Sequence, residues 1–165
     1  GLFLFIRDPI ALIKTITAFT ISHSITLALS VLELVKLDQG PTEAVIALSI
    51  FFLARELVME EGQRSRLTLG RPWVMAFVFG LLHGLGFAGA LADIGLPKDD
   101  LWLSLLLFNV GIEVGQVAVI IALAGIAWIL TKIGWRNRFY TVAAWSMGSL
   151  ATFWTLDRTA LLVGL

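Results

Sequence analysis

Three residues of this chain are best suited to chemistry. They are His23, His83 and Glu113, two imidazoles and a carboxylate that interrupt long apolar runs. His83 sits in Phe79-Gly80-Leu81-Leu82-His83-Gly84-Leu85-Gly86-Phe87, an ionisable ring among aliphatic and aromatic residues, with glycines at 80, 84 and 86. His23 lies in the polar stretch Thr20 to Thr26, and Glu113 in the stretch Asn109 to Gln116. A fourth polar stretch runs from Ser49 to Glu56. Two imidazoles, a carboxylate and side-chain amides form a nitrogen/oxygen donor set that suits Ni²⁺, Co²⁺ or Zn²⁺ better than Ca²⁺ or Cu⁺. With no cysteine in the chain, thiolate sites and disulfides are excluded.

Helical spacing gives each of these groups polar companions. Thr20, His23, Ser24 and Thr26 are related by steps of three and four, and Asn109, Glu113 and Gln116 follow the i, i+4, i+7 stripe of one helix face. Ser49 and Glu56, seven apart, share a face of their own helix. Simpler roles stand beside the ligand role. A single histidine can serve as a hydrogen-bonding contact between helices, and Asn109 and Gln116 as interhelical glue. Glu56 can pair with its neighbour Arg55, and Glu43, shortly after Pro41, can complement a helix dipole. Gly80, Gly84, Gly86 and Gly89, like Gly111 and Gly115, are expected to let helix backbones approach closely. There is no phosphate-binding loop, nucleophile elbow or HExxH pair, and the Gly84–Gly86 pair is no nucleotide fingerprint because no strand precedes it.

The elements that must position these residues are read from composition. The chain has 165 residues, 58% hydrophobic and 15% charged, with a mean hydropathy of +0.91. Soluble domains are about half apolar and about a quarter charged, so an integral membrane protein is expected. The fold class that follows is all-α, a polytopic transmembrane helix bundle forming one domain over 1–165. About five complete spans are expected, near 10–35, 42–59, 72–93, 101–131 and 139–156, with 1–7 as the end of an earlier helix. The polar run 60–71 must lie in water. Formal net charge is zero, which gives no reason to expect a nucleic-acid partner; the expected partners are membrane lipid, a metal ion and other membrane subunits.

Basic residues orient the bundle. Arg7, Lys14, Arg55, Arg64, Arg66, Arg71, Lys132, Arg136 and Arg138 fall on one side, against Lys36, Lys98 and Arg158 on the other. The positive-inside rule then makes the loops 60–71 and 132–138 cytoplasmic and leaves the C-terminus outside. Trp73, Trp102, Trp135 and Trp154 fall near span ends, as interfacial anchors do. With ~1.5 Å of rise per residue, His23 lies ~14 Å beyond Lys14, His83 ~18 Å beyond Arg71, and Glu113 ~20 Å beyond Asp100. Half of the hydrocarbon core is ~15 Å, so all three reach the midplane. An isolated charge there costs about 2.5–3.5 kcal/mol on insertion scales, which favours one shared site over three separate ones.

Four blocks in order carry a resemblance. They are Phe19-Thr20 with His23 to Leu27 (FT..HSITL), Ala47 to Ile50 with Glu56, Phe79 to Ala88 (FGLLHGLGFA), and Phe108 to Gln116 (FNVGIEVGQ). Together they resemble the HupE/UreJ family, its second branch in particular, from about Thr17 to Gln116. That family is similar to nickel and cobalt permeases associated with hydrogenase and urease genes. The resemblance implies transport of a divalent transition metal across the bacterial inner membrane. His23, His83 and Glu113 would be the metal contacts, with Glu56, Asn109, Gln116, Ser49 and Thr26 in support. It also implies an earlier helix bearing a Gly-x-Asp-His element, of which Gly1 to Ile6 would be the end. On this reading the chain is not an enzyme. Two alternatives accompany it: an accessory or structural subunit of a larger membrane complex, and an intramembrane metal-dependent hydrolase in which Glu113 or Glu56 would serve as base.

Overall fold

A computed structural model describes residues 6, 8–60, 63–94 and 100–162. Every long element among them is helical: α1 (Pro9–Val31), α2 (Gln39–Val58), α3 (Arg66–Gly70), α4 (Pro72–Ile94), α5 (Leu101–Lys132) and α6 (Arg136–Leu162). The all-α expectation holds for the described residues. The stub expected at 1–7, Ile6 apart, and the turn carrying Lys98 lie outside them.

Local chemistry fixes the helix ends, and several differ from expectation. The Asp8 carboxylate accepts the Ile10 and Ala11 backbone N–H groups at 3.3 and 3.0 Å, and Pro9 takes the first helical position, so α1 starts there. It stops at Val31, short of Val35, because Glu33 adopts a left-handed φ of 59°. The Glu33 N–H then donates to the Ser30 carbonyl and the Leu34 N–H to Leu29, the nested bonds that close a helix. The second helix begins at Gln39 instead of Thr42. Pro41 falls inside its first turn, where a backbone N–H has no helical partner to lose. The polar run 60–71 is not wholly irregular. Ser65 caps the five-residue α3 by accepting the Leu67 N–H, and Thr68 is buried. The last helix extends beyond 139–156 at both ends, and its C-terminal turns are held on α2 by Arg158 against Glu43 at 2.7 Å.

Two helix pairs dominate the packing. In the first, α1 and α4 run parallel: Lys14 lies 4.6 Å from the centre of the Trp73 ring near their starts, and Leu27 and Leu91 are packed in one cluster near their ends. Glycine makes this contact close. A Cβ on Gly80 would coincide with the Ser22 hydroxyl and lie 2.5 Å from the Phe19 carbonyl oxygen; one on Gly84 would run into the Thr26 hydroxyl and the His23 carbonyl. In the second pair α2 and α6 are antiparallel, with Gly40 against Leu162 and Ala54 against Gly148. The pairs meet where α2 crosses α4, with Ile46 against Gly86 and the Gln39 amide against Gly89.

The fifth helix joins the bundle through Leu101, Leu105 and Phe108, around Leu27 and Leu91. Nothing lies within 4 Å of a Cβ placed on Gly111 or Gly115, so the close approach expected there does not occur. The helices α1 and α5 are long and apolar enough to cross a membrane, and none of the most apolar stretch of α5 is buried in the bundle (0%). The α4 segment Pro72–Phe87 is apolar but shorter. About five complete spans were expected; among the described residues two helices are long and apolar enough to count as candidate spans. The α2 helix carries Glu43, Arg55 and Glu56, and α6 dilutes its apolar residues with Trp, Ser, Thr and Gly.

Candidate functional site

The close contact of α1 and α4 brings the two histidines together. His23 is 1% exposed, and His83 is half-buried on the facing helix, where both imidazoles meet the Phe19 ring. Each shares its helix with a phenylalanine four residues away: Phe19 precedes His23, and Phe87 follows His83. In a parallel pair this spacing interleaves the rings. Phe19 stacks on His23 with centroids 5.8 Å apart and meets the His83 ring edge-on at 5.5 Å. Phe87 meets the His23 ring edge-on at 5.5 Å, and Phe108 of α5 lies 6.4 Å from Phe87. The result is a mostly aromatic box around two imidazoles.

The nitrogens inside that box differ in what they contact. Nε2 of His83 lies 3.4 Å from the Ser49 hydroxyl on α2, which also donates to the Ile46 carbonyl at 2.7 Å. Neither Nδ1 nor Nε2 of His23 has a hydrogen-bond partner among the described residues. A neutral imidazole carries one donor and one acceptor, so a fully buried ring with neither matched is an unusual and costly arrangement. Thr26 does not turn toward it. Its hydroxyl lies 3.2 and 3.3 Å from the Ser22 and His23 carbonyls and fills the space that Gly84 leaves open.

On α5 the amide of Asn109 reaches α1: its Oδ1 accepts from the Ser24 hydroxyl at 2.7 Å, and its Nδ2 donates to the Leu105 carbonyl at 2.8 Å. With α5 antiparallel to α1, this bond fixes the register. Glu113, one turn on, reaches the level of Thr20, ~4.5 Å along the axis from His23. Glu113 and His23 therefore lie at similar levels along the helix axes. No three His, Asp or Glu side chains come together to hold a metal ion among the described residues. Glu113 and Gln116 are half-exposed on α5.

Glu56 stands apart from the box. It is 1% exposed; one carboxylate oxygen accepts the Ser65 backbone N–H at 2.8 Å and the other lies 3.4 Å from the Arg55 guanidinium. The Arg64 Nε donates to the Glu56 and Met59 carbonyls at 3.1 and 3.0 Å. Together these bonds fold the turn between α2 and α3; the Ser65 bond is additional to the Arg55 pairing expected for Glu56, which is present only as the long 3.4 Å contact.

Phe19 and Phe87 were missed as functional residues when the polar groups alone were followed. The signal was present: in both helices an aromatic residue lies one turn from the histidine, on the same face. No curated protein and no solved structure matches the chain. Residues 1–158 match the family described as HupE / UreJ protein, and the chain belongs to that family.

Proposed function

We propose that this chain moves a divalent transition-metal ion, nickel- or cobalt-like, across the bacterial inner membrane, with His23 and His83 as neutral ligands. The carrying observation is a buried imidazole with both ring nitrogens unmatched, beside a second imidazole in an aromatic box. Family membership supports this reading, since the family is linked to nickel and cobalt transport. The chain crosses the bilayer five times, with 60–71 and 132–138 cytoplasmic and the C-terminus outside. The alternating directions of α1, α2, α4, α5 and α6 support that topology. Two nitrogen ligands make a weak site by themselves. Glu113, one turn beyond Asn109 and about level with Thr20, supplies the compensating charge. Gln116 and Ser49 add polar contacts along the path, and Glu56 holds the cytoplasmic turn. In cells dependent on the full protein for metal uptake, His23→Ala and His83→Ala should each abolish accumulation of nickel or cobalt. Unchanged accumulation would refute the transport reading.

A second reading is supported by the bare face of α5. A helix whose most apolar stretch is wholly unburied in its own bundle suits an accessory subunit docked within a larger membrane complex. Purification from native membranes with stoichiometric partner chains, and metal uptake that persists without this chain, would favour that reading over transport.

A further inference from the structure

A groove of about 640 Å³ lies along the seam of α2 and α6, outside the histidine box. Its walls are apolar, formed chiefly by Phe51 and Val58 of α2 and by Trp145, Phe153 and Leu156 of α6, with Arg55 as its one charged lining residue. Gly148 forms the floor, where a Cβ would lie 3.5 Å from that of Ala54.

Two dimensions of the groove point to an occupant. Its α6 wall runs from Ala144 to Leu156, twelve residues or ~18 Å of helix, close to the ~15 Å thickness of one hydrocarbon leaflet. Its charge lies toward one end: with Ala54 against Gly148, Arg55 is level with about residue 147, ~4.5 Å from the Ala144 end of the α6 wall. Arg55 lies near the C-terminal end of α2, next to the turn that carries Arg64 and Arg71. The Arg55 side chain is 51% exposed, and its contact with Glu56 is long, 3.4 Å through one of its nitrogens. The remaining guanidinium donors suit the oxygens of a phosphate. An apolar channel one leaflet long with a cation at its mouth matches an acyl chain that carries an anionic head.

We propose that this groove is a binding site for one anionic phospholipid of the leaflet on the Arg55 side, its acyl chain along the α2–α6 seam and its phosphate on Arg55. The lipid covers a seam that would otherwise expose Phe51 and Phe153, and it ties headgroup charge to the end of α2.

The test is native mass spectrometry of the full chain released from vesicles of equimolar phosphatidylglycerol and phosphatidylcholine. The wild type should retain one phosphatidylglycerol in preference to phosphatidylcholine. Loss of one cation at an anionic headgroup predicts a drop of about fivefold in that preference for Arg55→Gln. Ser149→Trp, at an exposed position on the groove wall, should remove the retained lipid while far-ultraviolet circular dichroism stays unchanged. Lys14→Gln, whose cation lies over Trp73 on a different face, should leave the preference intact. Equal retention of the two lipids by the wild type would overturn the proposal. So would an equal effect of Arg55→Gln and Lys14→Gln, lipid retained by Ser149→Trp, or a stoichiometric dimer whose groove holds no lipid.

Discussion

Gly84→Ala should loosen the α1–α4 pair and dismantle the histidine box with it. The added methyl would run into the Thr26 hydroxyl and the His23 carbonyl and would lie 3.0 Å from the Leu27 backbone nitrogen. A threonine rotamer can yield, but two backbone atoms of a helix cannot, so the helices must separate by roughly the ångström needed to restore ordinary contact. Overpacking of this kind costs about 1–3 kcal/mol, against which alanine recovers at most about 1 kcal/mol of helix propensity. The net expectation is a destabilisation of up to about 2 kcal/mol. Gly115→Ala supplies the internal control: the propensity gain is the same, but nothing lies within 4 Å of the new methyl. It should be neutral or slightly stabilising. Thermal unfolding of both variants in one detergent, followed by circular dichroism, measures the difference directly. Equal stability of the two, or a larger loss for Gly115→Ala, would refute the packing argument and the open space beside Gly115.

Other perturbations test the remaining contacts. Glu56→Ala strips the Ser65 N–H of its acceptor in a buried setting, a loss of about 1–3 kcal/mol that should show as faster proteolysis between α2 and α4; Glu56→Gln keeps an oxygen there and should lose less. Asn109→Leu removes the side-chain bond from α5 to α1, and a double-mutant cycle with Ser24→Ala should return a coupling of about 0.6 kcal/mol, at most about 1.7. Zero coupling would mean that the register between α1 and α5 is set by Leu27, Leu91 and Leu105 alone. Gly134→Ala forces a side chain onto φ 76° at the end of α5 and should cost about 1–2 kcal/mol in the same thermal assay.

How much of this was legible in the sequence differs from helix to helix. Counting residues from Lys14 and Arg71 is enough to give the histidines a common depth, because rise per residue hardly varies between helices. Gly80 and Gly84 announce a close neighbour, and the structure supplies it in α1. What counting cannot give is azimuth, the direction a helix face points once it is packed. Asn109, Glu113 and Gln116 form one stripe on paper, yet only Asn109 makes a side-chain hydrogen bond to α1 among the contacts described. The same limit hid the Ser65 partner of Glu56, nine residues away across a turn whose fold depends on that bond. The exact ends of α1 and α2 also eluded the sequence. Glu33 takes a left-handed conformation with no glycine to announce it, and Pro41 fits equally well one place or three places into a helix.

The meeting of the two helix pairs has a mechanical consequence. His83 belongs to the α1–α4 pair by its backbone, but its Nε2 reaches across the seam to Ser49, which rides with α6 on the other pair. That contact, at 3.4 Å, is already near the limit of a hydrogen bond. A slide of one pair along the other by less than the width of an atom would make or break it, while the Phe19–His23 stack, internal to one helix, would stay as it is. His83 is thus the histidine that registers relative motion of the two halves, and His23 the fixed reference against which that motion is measured.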